Sequence, residues 1–334
     1  MKRLFALILC ISAIALSSCV GDGAEPYYVY GSAMDTNVSI CLYGGDKELG
    51  NACLELLYGM ESELSVTVTG SKLYALNSGQ TVKDTGHFFT LCGLASELRT
   101  LTGGAYNPCI YPLVKLWGFT ADKCSVPNDE DIATGIELAK NSQISFTDEG
   151  IKIEGGGQAD FGGIAKGYAS DVLRDYLKSN GVEAAVVSLG GNIVTVGKKP
   201  DGSDWKIGIN SPKGGGSLLG TLSVGECAVV TSGSYFRNFT EDGKLYHHII
   251  DPETGMPADN GLVSVTVVAD DAALADGLST AFFVMGMEKA LSIAQSLDVQ
   301  TVFVTENQIF VSGGLKEKFT PDGTVEGEYE IIYN

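Results

Sequence analysis

The sequence predicts an α+β fold with largely antiparallel sheets and flanking helices. Three observations predict it: strand-like apolar segments come in runs, amphipathic helical segments interrupt them irregularly, and regular βαβ alternation is missing. Tyr28–Tyr43 reads as strands. Glu48–Leu64 has Leu49, Cys53, Leu56, Leu57 and Met60 at helical spacing on one side. Phe88–Leu101 reads as a second helix, stopped by Gly103-Gly104. Gly150–Gly157 is a short strand running into glycines, and Ile164–Lys178 is an amphipathic helix through Tyr168, Val172, Leu173, Tyr176 and Leu177. Strands follow at Ala184–Ser188, Trp205–Ile209, Leu218–Val224 and Leu262–Ala269, and helices at Ala272–Met285 and Glu288–Leu297. A hairpin of Thr301–Thr305 with Gln308–Ser312, turning at Glu306-Asn307, completes the core. No internal repeat, low-complexity linker or domain boundary is evident, so residues 28–334 are expected to form a single domain.

Composition narrows the function. With 44% hydrophobic and 19% charged residues, the chain of 334 residues can bury a substantial core. Its 41 acidic residues outnumber 22 basic ones, a net charge of −19 that argues against binding nucleic acid. The 43 glycines come with only nine prolines and no collagen-like period, so they are expected at turns and close backbone approaches.

Met1–Cys19 carries two basic residues, an apolar run from Leu4 to Leu16, then small residues before a cysteine. The run is too short to span a membrane and reads as a secretory signal. Leu16-Ser17-Ser18-Cys19 resembles a bacterial lipobox, which implies a signal over 1–18, lipidation of Cys19 and a tether over 19–27; ordinary secretion is the alternative. The mature chain then has 20 basic against 41 acidic residues, a net −21, and is held at a membrane by acyl chains, not headgroup attraction. The remaining cysteines, at 41, 53, 92, 109, 124 and 227, form no CxxC and read as small core residues, which argues against a zinc site.

Three segments carry chemistry. In Asp160-Phe161-Gly162-Gly163-Ile164-Ala165-Lys166-Gly167, two glycines precede a helix with a lysine in its first turn, an arrangement suited to phosphate. It is neither a Walker A nor a kinase signal, and a plain strand-to-helix turn with a surface lysine is the alternative. In Asp270–Thr280, Asp276 and Thr280 lie four apart on one helix face, a hard oxygen pair suited to Mg²⁺; Asp270 or Asp271 as a helix cap, with Thr280 bonding back to the helix, is the plainer reading. In the third, Ala228–Val230 is an apolar strand ending in hydroxyls at Thr231-Ser232-Gly233, and Tyr246–Pro257 carries His247, His248 and a DPETG turn. A triad of Ser232, His248 and Asp251 lacks a GxSxG elbow. The adjacent histidines, in an apparent strand, are expected to point to opposite faces.

Taken in order, these blocks resemble the ApbE family of FAD:protein FMN transferases, many of which are periplasmic lipoproteins. The resemblance runs from Ala33-Met34-Asp35-Thr36 through Gly104-Ala105-Tyr106-Asn107, Leu116-Trp117-Gly118-Phe119, DFGGIAKGYASD, Ser188–Asn192, TSGSYFRNF and HHIIDPETGMP to ADGLSTAFFVMG. It implies a single T-fold-like domain that uses FAD and Mg²⁺ to move FMN onto a threonine of an acceptor flavoprotein, one belonging to an ion-pumping or electron-transfer complex, and releases AMP. It also implies Mg²⁺ ligands at Asp276, Thr280 and the Gly163 carbonyl, and flavin or ribityl contacts at Met34, Ala105, Tyr106, Asn107, Asp160, Lys166 and Ile250. His248 is our own candidate for proton transfer or phosphate orientation, beside Asp276 and Lys166 as catalytic residues. Two departures stand out. Leu64-Ser65-Val66-Thr67-Val68-Thr69 lacks the aromatic common in the family, and Asn107 stands where aspartate is frequent. The first keeps open an FAD pyrophosphatase that yields FMN and AMP. A non-catalytic flavin-binding lipoprotein and a solute-binding lipoprotein of unrelated fold are further alternatives.

Overall fold

The computed structural model describes residues 25–121, 123–325 and 327–334; the expected signal and lipobox, Cys19 included, lie outside them. The elements run β1 (Tyr27–Ala33), β2 (Thr36–Tyr43), α1 (Lys47–Leu64), α2 (Lys72–Asn77), α3 (His87–Leu101), α4 (Tyr111–Leu116), α5 (Asp129–Asn141), β3 (Gln143–Thr147), β4 (Gly150–Glu154) and α6 (Ala165–Ser179). Next come β5 (Ala184–Leu189), β6 (Asn192–Val196), β7 (Trp205–Asn210), β8 (Leu218–Val224), β9 (Ala228–Gly233), β10 (Asn238–Glu241), β11 (Lys244–His247) and β12 (Ser264–Ala269). Helices α7 (Ala272–Met285) and α8 (Met287–Ser296) precede β13 (Gln300–Val304), β14 (Gln308–Val311), β15 (Phe319–Pro321) and β16 (Glu330–Tyr333).

Nine strands form the main sheet in the order β1-β2-β5-β6-β9-β12-β13-β14-β16, antiparallel except for the last pair. Side chains alternate across a strand, and both faces of this sheet are covered. In β5, Ala185, Val187 and Leu189 join the core under the helices, while Ala184 and Val186 join a second core under the small sheet β15-β8-β7. The same division separates Val265 and Val267 from Val268 in β12. That explains why β5 is buried along its whole length and why its sequence is a continuous apolar run. Helices α1, α6, α7 and α8 pack on the first face. A third cluster of Leu113, Trp117, Ile132, Ala139 and Ile250 ties α4 and α5 to the segment after β11.

The antiparallel α+β expectation holds. Strand β4 stops at Glu154 because Gly155 and Gly156 take φ of +89° and +80°. Helices α4 and α5, absent from the sequence reading, fill the stretch after Gly104; α5 starts on an Asn128 cap that accepts the Asp131 N–H at 2.9 Å. Cys41, Cys53, Cys92, Cys109 and Cys227 are buried free thiols and Cys124 is a half-buried one, as a core role requires. Burial pushes the Cys92 thiol up to about 12 and the Cys53 and Cys109 thiols to about 11, which keeps all three unreactive.

Helix α6 approaches α7 so closely that a Cβ on Gly167 would lie 2.1 Å from the Ala272 carbonyl oxygen and 2.6 Å from Asp276 Cβ. Gly59, exposed on α1, has nothing within 4 Å of the same position. Gly167→Ala is therefore expected to lower the unfolding free energy by about 1–3 kcal/mol, whereas Gly59→Ala raises it by about 0.5–1 kcal/mol. Urea titration followed by circular dichroism measures both, and equal stability of the two variants would refute the close approach.

Candidate functional site

The site is built where α6 begins. Asp160 folds back on the turn before the helix: its Oδ1 accepts the Gly162 N–H at 2.6 Å, while its own N–H donates to the Pro108 carbonyl at 2.8 Å. This local turn presents Gly162 and Gly163 ahead of α6. Lys166 Nζ donates to the Gly162 carbonyl at 3.0 Å and stands 3.8 Å from Asp276 Oδ2. Asp276 is 3% exposed, and its Oδ2 accepts the Gly167 N–H at 2.9 Å. The first turn of α6 thus spends a donor on the Asp276 carboxylate, leaving the ammonium of Lys166 as the group free to meet an anion. Oδ1 of Asp276 takes no hydrogen bond from the described residues.

One turn further along α7, Thr280 Oγ1 lies 3.3 Å from Ser232 Oγ, itself 2.8 Å from Ser279 Oγ. A Cβ on Gly163 would sit 3.1 Å from Thr280 Oγ1 and 3.3 Å from Tyr106 Cε2, so these three residues meet. Carboxylate, hydroxyl and backbone oxygen form a hard donor set of the kind that suits Mg²⁺. The Tyr106 hydroxyl beside them is buried without a hydrogen-bond partner among the described residues, an orphan that points to a missing polar group. Burial, then the charges of Asp160 and Asp276, push it well above the ordinary tyrosine range, so it remains a protonated donor. No cluster of three or more His, Cys, Asp or Glu side chains among the described residues offers a metal cage. A cation held at this spot meets one carboxylate and otherwise neutral protein oxygens.

Three further turns lie close enough for their charges to act on Asp160 and His248. Met34 and Asp35 make the two-residue turn between β1 and β2 with φ of 54° and 56°, a left-handed conformation costly for a residue like Met34. The Asp35 carbonyl accepts from Arg237 Nη2 at 3.3 Å. Beside it, Gly190 has φ +58° and donates its N–H to the Asn37 carbonyl at 3.1 Å; a Cβ there would be 1.9 Å from Thr36 Oγ1, so only glycine fits. His248 follows β11, its Nδ1 3.2 Å from the Arg237 carbonyl. A carbonyl only accepts, so Nδ1 carries the proton and Nε2 keeps its lone pair. Burial, then the Arg237 charge, push this imidazole down to about 3. Asp160 moves the other way: burial raises it, and the Gly162 N–H, Arg237 and Lys166 partly offset that rise.

His247, the last residue of β11, points elsewhere. Its Nε2–H donates to the Ala258 carbonyl at 3.0 Å and its ring packs edge-on against Phe283, a satisfied core histidine. Ala105 packs on the main core. Asn107 spends its side chain within the fold, with Nδ2 donating to the Ala139 carbonyl of α5 at 3.0 Å and Oδ1 accepting the Cys109 N–H of its own loop at 2.9 Å. Ile250 is buried in the third cluster and bridges to Pro257. The Ser232, His248 and Asp251 triad does not assemble: Ser232 bonds Ser279 and Thr280, and Asp251 Oδ1 accepts the Glu253 N–H at 2.8 Å in its own turn. Arg237 and the hydroxyls of Ser232 and Ser279 are site residues that the sequence reading left without a role. Arg237, the single cation of TSGSYFRNF, was the available signal.

The sequence model of the ApbE family matches residues 34–303, and the chain belongs to that family. It is 33% identical over 308 residues to the FAD:protein FMN transferase of Klebsiella pneumoniae (strain 342), covering 90% of this chain and 95% of that relative. The protein of the same name from Vibrio cholerae is 32% identical over 316 residues, 90% of this chain and 93% of its own. Among solved structures, the ApbE protein of Thermotoga maritima superposes with a TM-score of 0.79 at 31% identity over 92% of this chain and 100% of that one. The flavin transferase ApbE from Vibrio cholerae gives 0.75 at 28% identity over 91% and 99%.

The depressed His248 has a consequence for stability. A histidine whose folded pKa lies below its unfolded value favours the fold above the unfolded pKa, and that contribution is lost as pH falls toward the folded one. Between the ordinary value of 6.5 and about 3, unfolding therefore becomes progressively easier. His248→Gln is expected to flatten this slope by about 1–2 kcal/mol between pH 7 and pH 5, measured by urea titration at both. An unchanged slope would show that His248 is not held neutral by the fold.

Proposed function

We propose that this chain is a Mg²⁺-dependent FAD:protein FMN transferase. It moves FMN from FAD to a threonine hydroxyl of an acceptor flavoprotein, in an ion-pumping or electron-transfer complex, and releases AMP. The observation that carries the reading is Gly163 packed against Thr280, one helical turn from an Asp276 carboxylate that stands 3.8 Å from Lys166 Nζ, in a member of this family. Asp276, Thr280 and the Gly163 carbonyl would hold Mg²⁺, which supplies charge neutralisation at the pyrophosphate when bound.

The protein's own groups do the rest. Lys166 and Arg237 offer positive charge to an otherwise repelled anion. The buried Tyr106 hydroxyl donates a hydrogen bond that the fold leaves unused. Met34 with its turn, Ala105, the backbone at Asn107, Asp160 and Ile250 are assigned to the flavin and ribityl side. In the transfer, the acceptor threonine oxygen bonds to the FMN-side phosphorus, the bond from that phosphorus to the AMP oxygen breaks, and AMP leaves. His248 Nε2 is the acceptor for the hydroxyl proton. Burial is the first cause of its low basicity, and an anionic dinucleotide would offset only the smaller contributions of Arg237 and Lys166.

Water competes with threonine as nucleophile to the extent that the site admits it. The segment after α1 bears on this: Ser65 Oγ accepts the Val68 N–H at 3.2 Å in a tight turn, and Val68 stands 53% exposed in a stretch, Leu64–Thr69, that holds no aromatic. Incubation with FAD and Mg²⁺, with and without a threonine-bearing acceptor, separates the two outcomes. AMP formed only with acceptor, together with an FMN adduct by mass spectrometry, is expected; rapid AMP and free FMN without acceptor identify a pyrophosphatase instead. Asp276→Ala and Lys166→Ala should lose the transfer while staying folded, and chelation of Mg²⁺ should abolish FAD binding. Full activity in both variants would sink the site assignment.

The signal-like N-terminus supports anchoring at Cys19 to a bacterial envelope membrane, facing the periplasm. Cys19→Ala should move the protein from the membrane to the soluble fraction on cell fractionation; retention in the membrane would exclude a lipid anchor at this residue.

A further inference from the structure

Asp171 belongs to the DFGGIAKGYASD segment, yet neither the metal nor the flavin reading uses it. It lies on α6 four residues beyond Gly167, so the two share one face of the helix, and Gly163 stands in the turn just ahead of it. On α7, Ala272, Asp276 and Thr280 share a face by the same spacing. The two rows meet in antiparallel order. Gly163 lies against Thr280, Gly167 donates its N–H to Asp276 at 2.9 Å, and Asp171 Oδ1 accepts the Ala272 N–H at 3.0 Å.

Asp171 does more than touch the end of α7. Its Oδ2 accepts the Ala273 N–H at 2.8 Å, and Arg174 bridges the junction, with Nη2 2.6 Å from Asp171 Oδ1 and Nη1 donating to the Asp270 carbonyl at 2.7 Å. The local cap Asp271 takes only the Leu274 N–H by its side chain, at 2.6 Å. A local cap satisfies a helix end wherever the helix sits, whereas a carboxylate from a neighbouring helix also fixes how far along its axis the helix lies. One residue of slip on α7 is a displacement of about 1.5 Å, enough to break every pair in the ladder. The carboxylate is kept there at a cost: burial, then the negative charge of Asp271, push Asp171 up to about 6 against the pull of the two N–H groups and Arg174.

We propose that Asp171 is a positioning residue. By clamping the N-terminus of α7 to α6, it sets Asp276 and Thr280 against Gly163 and thereby the affinity of the site for a divalent cation. This rests on the metal reading given above.

Mn²⁺ titration of the purified protein, with free ion read by electron paramagnetic resonance, tests it in wild type, Asp276→Ala, Asp171→Asn and Asp171→Ala. Asp171→Asn keeps the volume and one acceptor oxygen, so it is expected to fold, with unchanged far-ultraviolet circular dichroism. It should bind Mn²⁺ roughly tenfold more weakly, the order of effect seen when groups that support a metal ligand are removed. Asp171→Ala should bind more weakly still, and Asp276→Ala not measurably. If Asp276→Ala loses binding while both Asp171 variants keep wild-type affinity, with or without a lower melting temperature, Asp171 is merely structural and the proposal is overturned. If Asp276→Ala binds as wild type, the metal assignment itself fails and the clamp falls with it.

Discussion

A single hydrogen bond, from the Gly167 N–H to Asp276, is the constraint on which the site depends. It needs two helices that follow different strands, β4 and β12, to lie backbone against side chain on the same face of the sheet. It also needs a residue without a side chain at 167, since any Cβ would strike the Ala272 carbonyl. Once that contact forms, a carboxylate only 3% exposed has one oxygen satisfied by the head of a helix and the other left for a ligand. The sheet serves this arrangement from below: β9 delivers Ser232 to the hydroxyl of Thr280, and β12 leads directly into the Asp271 cap of α7.

Charge follows the same economy. A chain of net charge −19 repels anions over most of its surface, and attraction must be local. Lys166 and Arg237 supply it from different elements, and their mutual repulsion is relieved by Asp160, Asp276 and the Asp35 carbonyl. His248 is held neutral by burial first and by the same cations second, so it adds an acceptor to the site without adding charge. The strained turn at Met34 and Asp35 fits this picture: its carbonyl anchors Arg237, and a glycine at Gly190 lets the neighbouring turn close against Thr36.

The antiparallel α+β class was legible because its evidence is local. Strands such as β5 and β12 are apolar runs, and α6 shows its stripe in the spacing of Tyr168, Leu173 and Leu177. Asp276 and Thr280 were legible as a pair because four-residue spacing on a helix has one geometric meaning. What stayed hidden depends on distant segments. Nothing near Asn107 says that its amide will be spent on the Ala139 carbonyl, 32 residues away. Nor does the neighbourhood of Asp171 say that it caps a helix beginning 101 residues later. Helix α5 was a different kind of miss: its Asn128 cap and acidic first turn were visible, but no broad apolar stripe accompanied them. His247 and His248 show the middle case: the sequence suggests that two adjacent rings part ways, and only the fold, which ends β11 between them, decides which one is the core residue.

The composition of the site bears on the reading itself. A cage of several carboxylates would hold a divalent cation tightly and cancel its charge, leaving little attraction for a pyrophosphate. Here the protein offers one carboxylate, one hydroxyl and one backbone oxygen, with the Lys166 ammonium 3.8 Å from the carboxylate. On the proposed function, such a set binds a cation weakly alone and leaves its charge and several coordination positions for phosphate oxygens. Metal and dinucleotide then assemble together, each supplying what the other lacks. A site that weak cannot tolerate a wandering carboxylate, because no second acidic ligand restores its grip. Precision has to come from the scaffold, and the antiparallel ladder of Gly163, Gly167 and Asp171 against Thr280, Asp276 and Ala272 is where the scaffold supplies it.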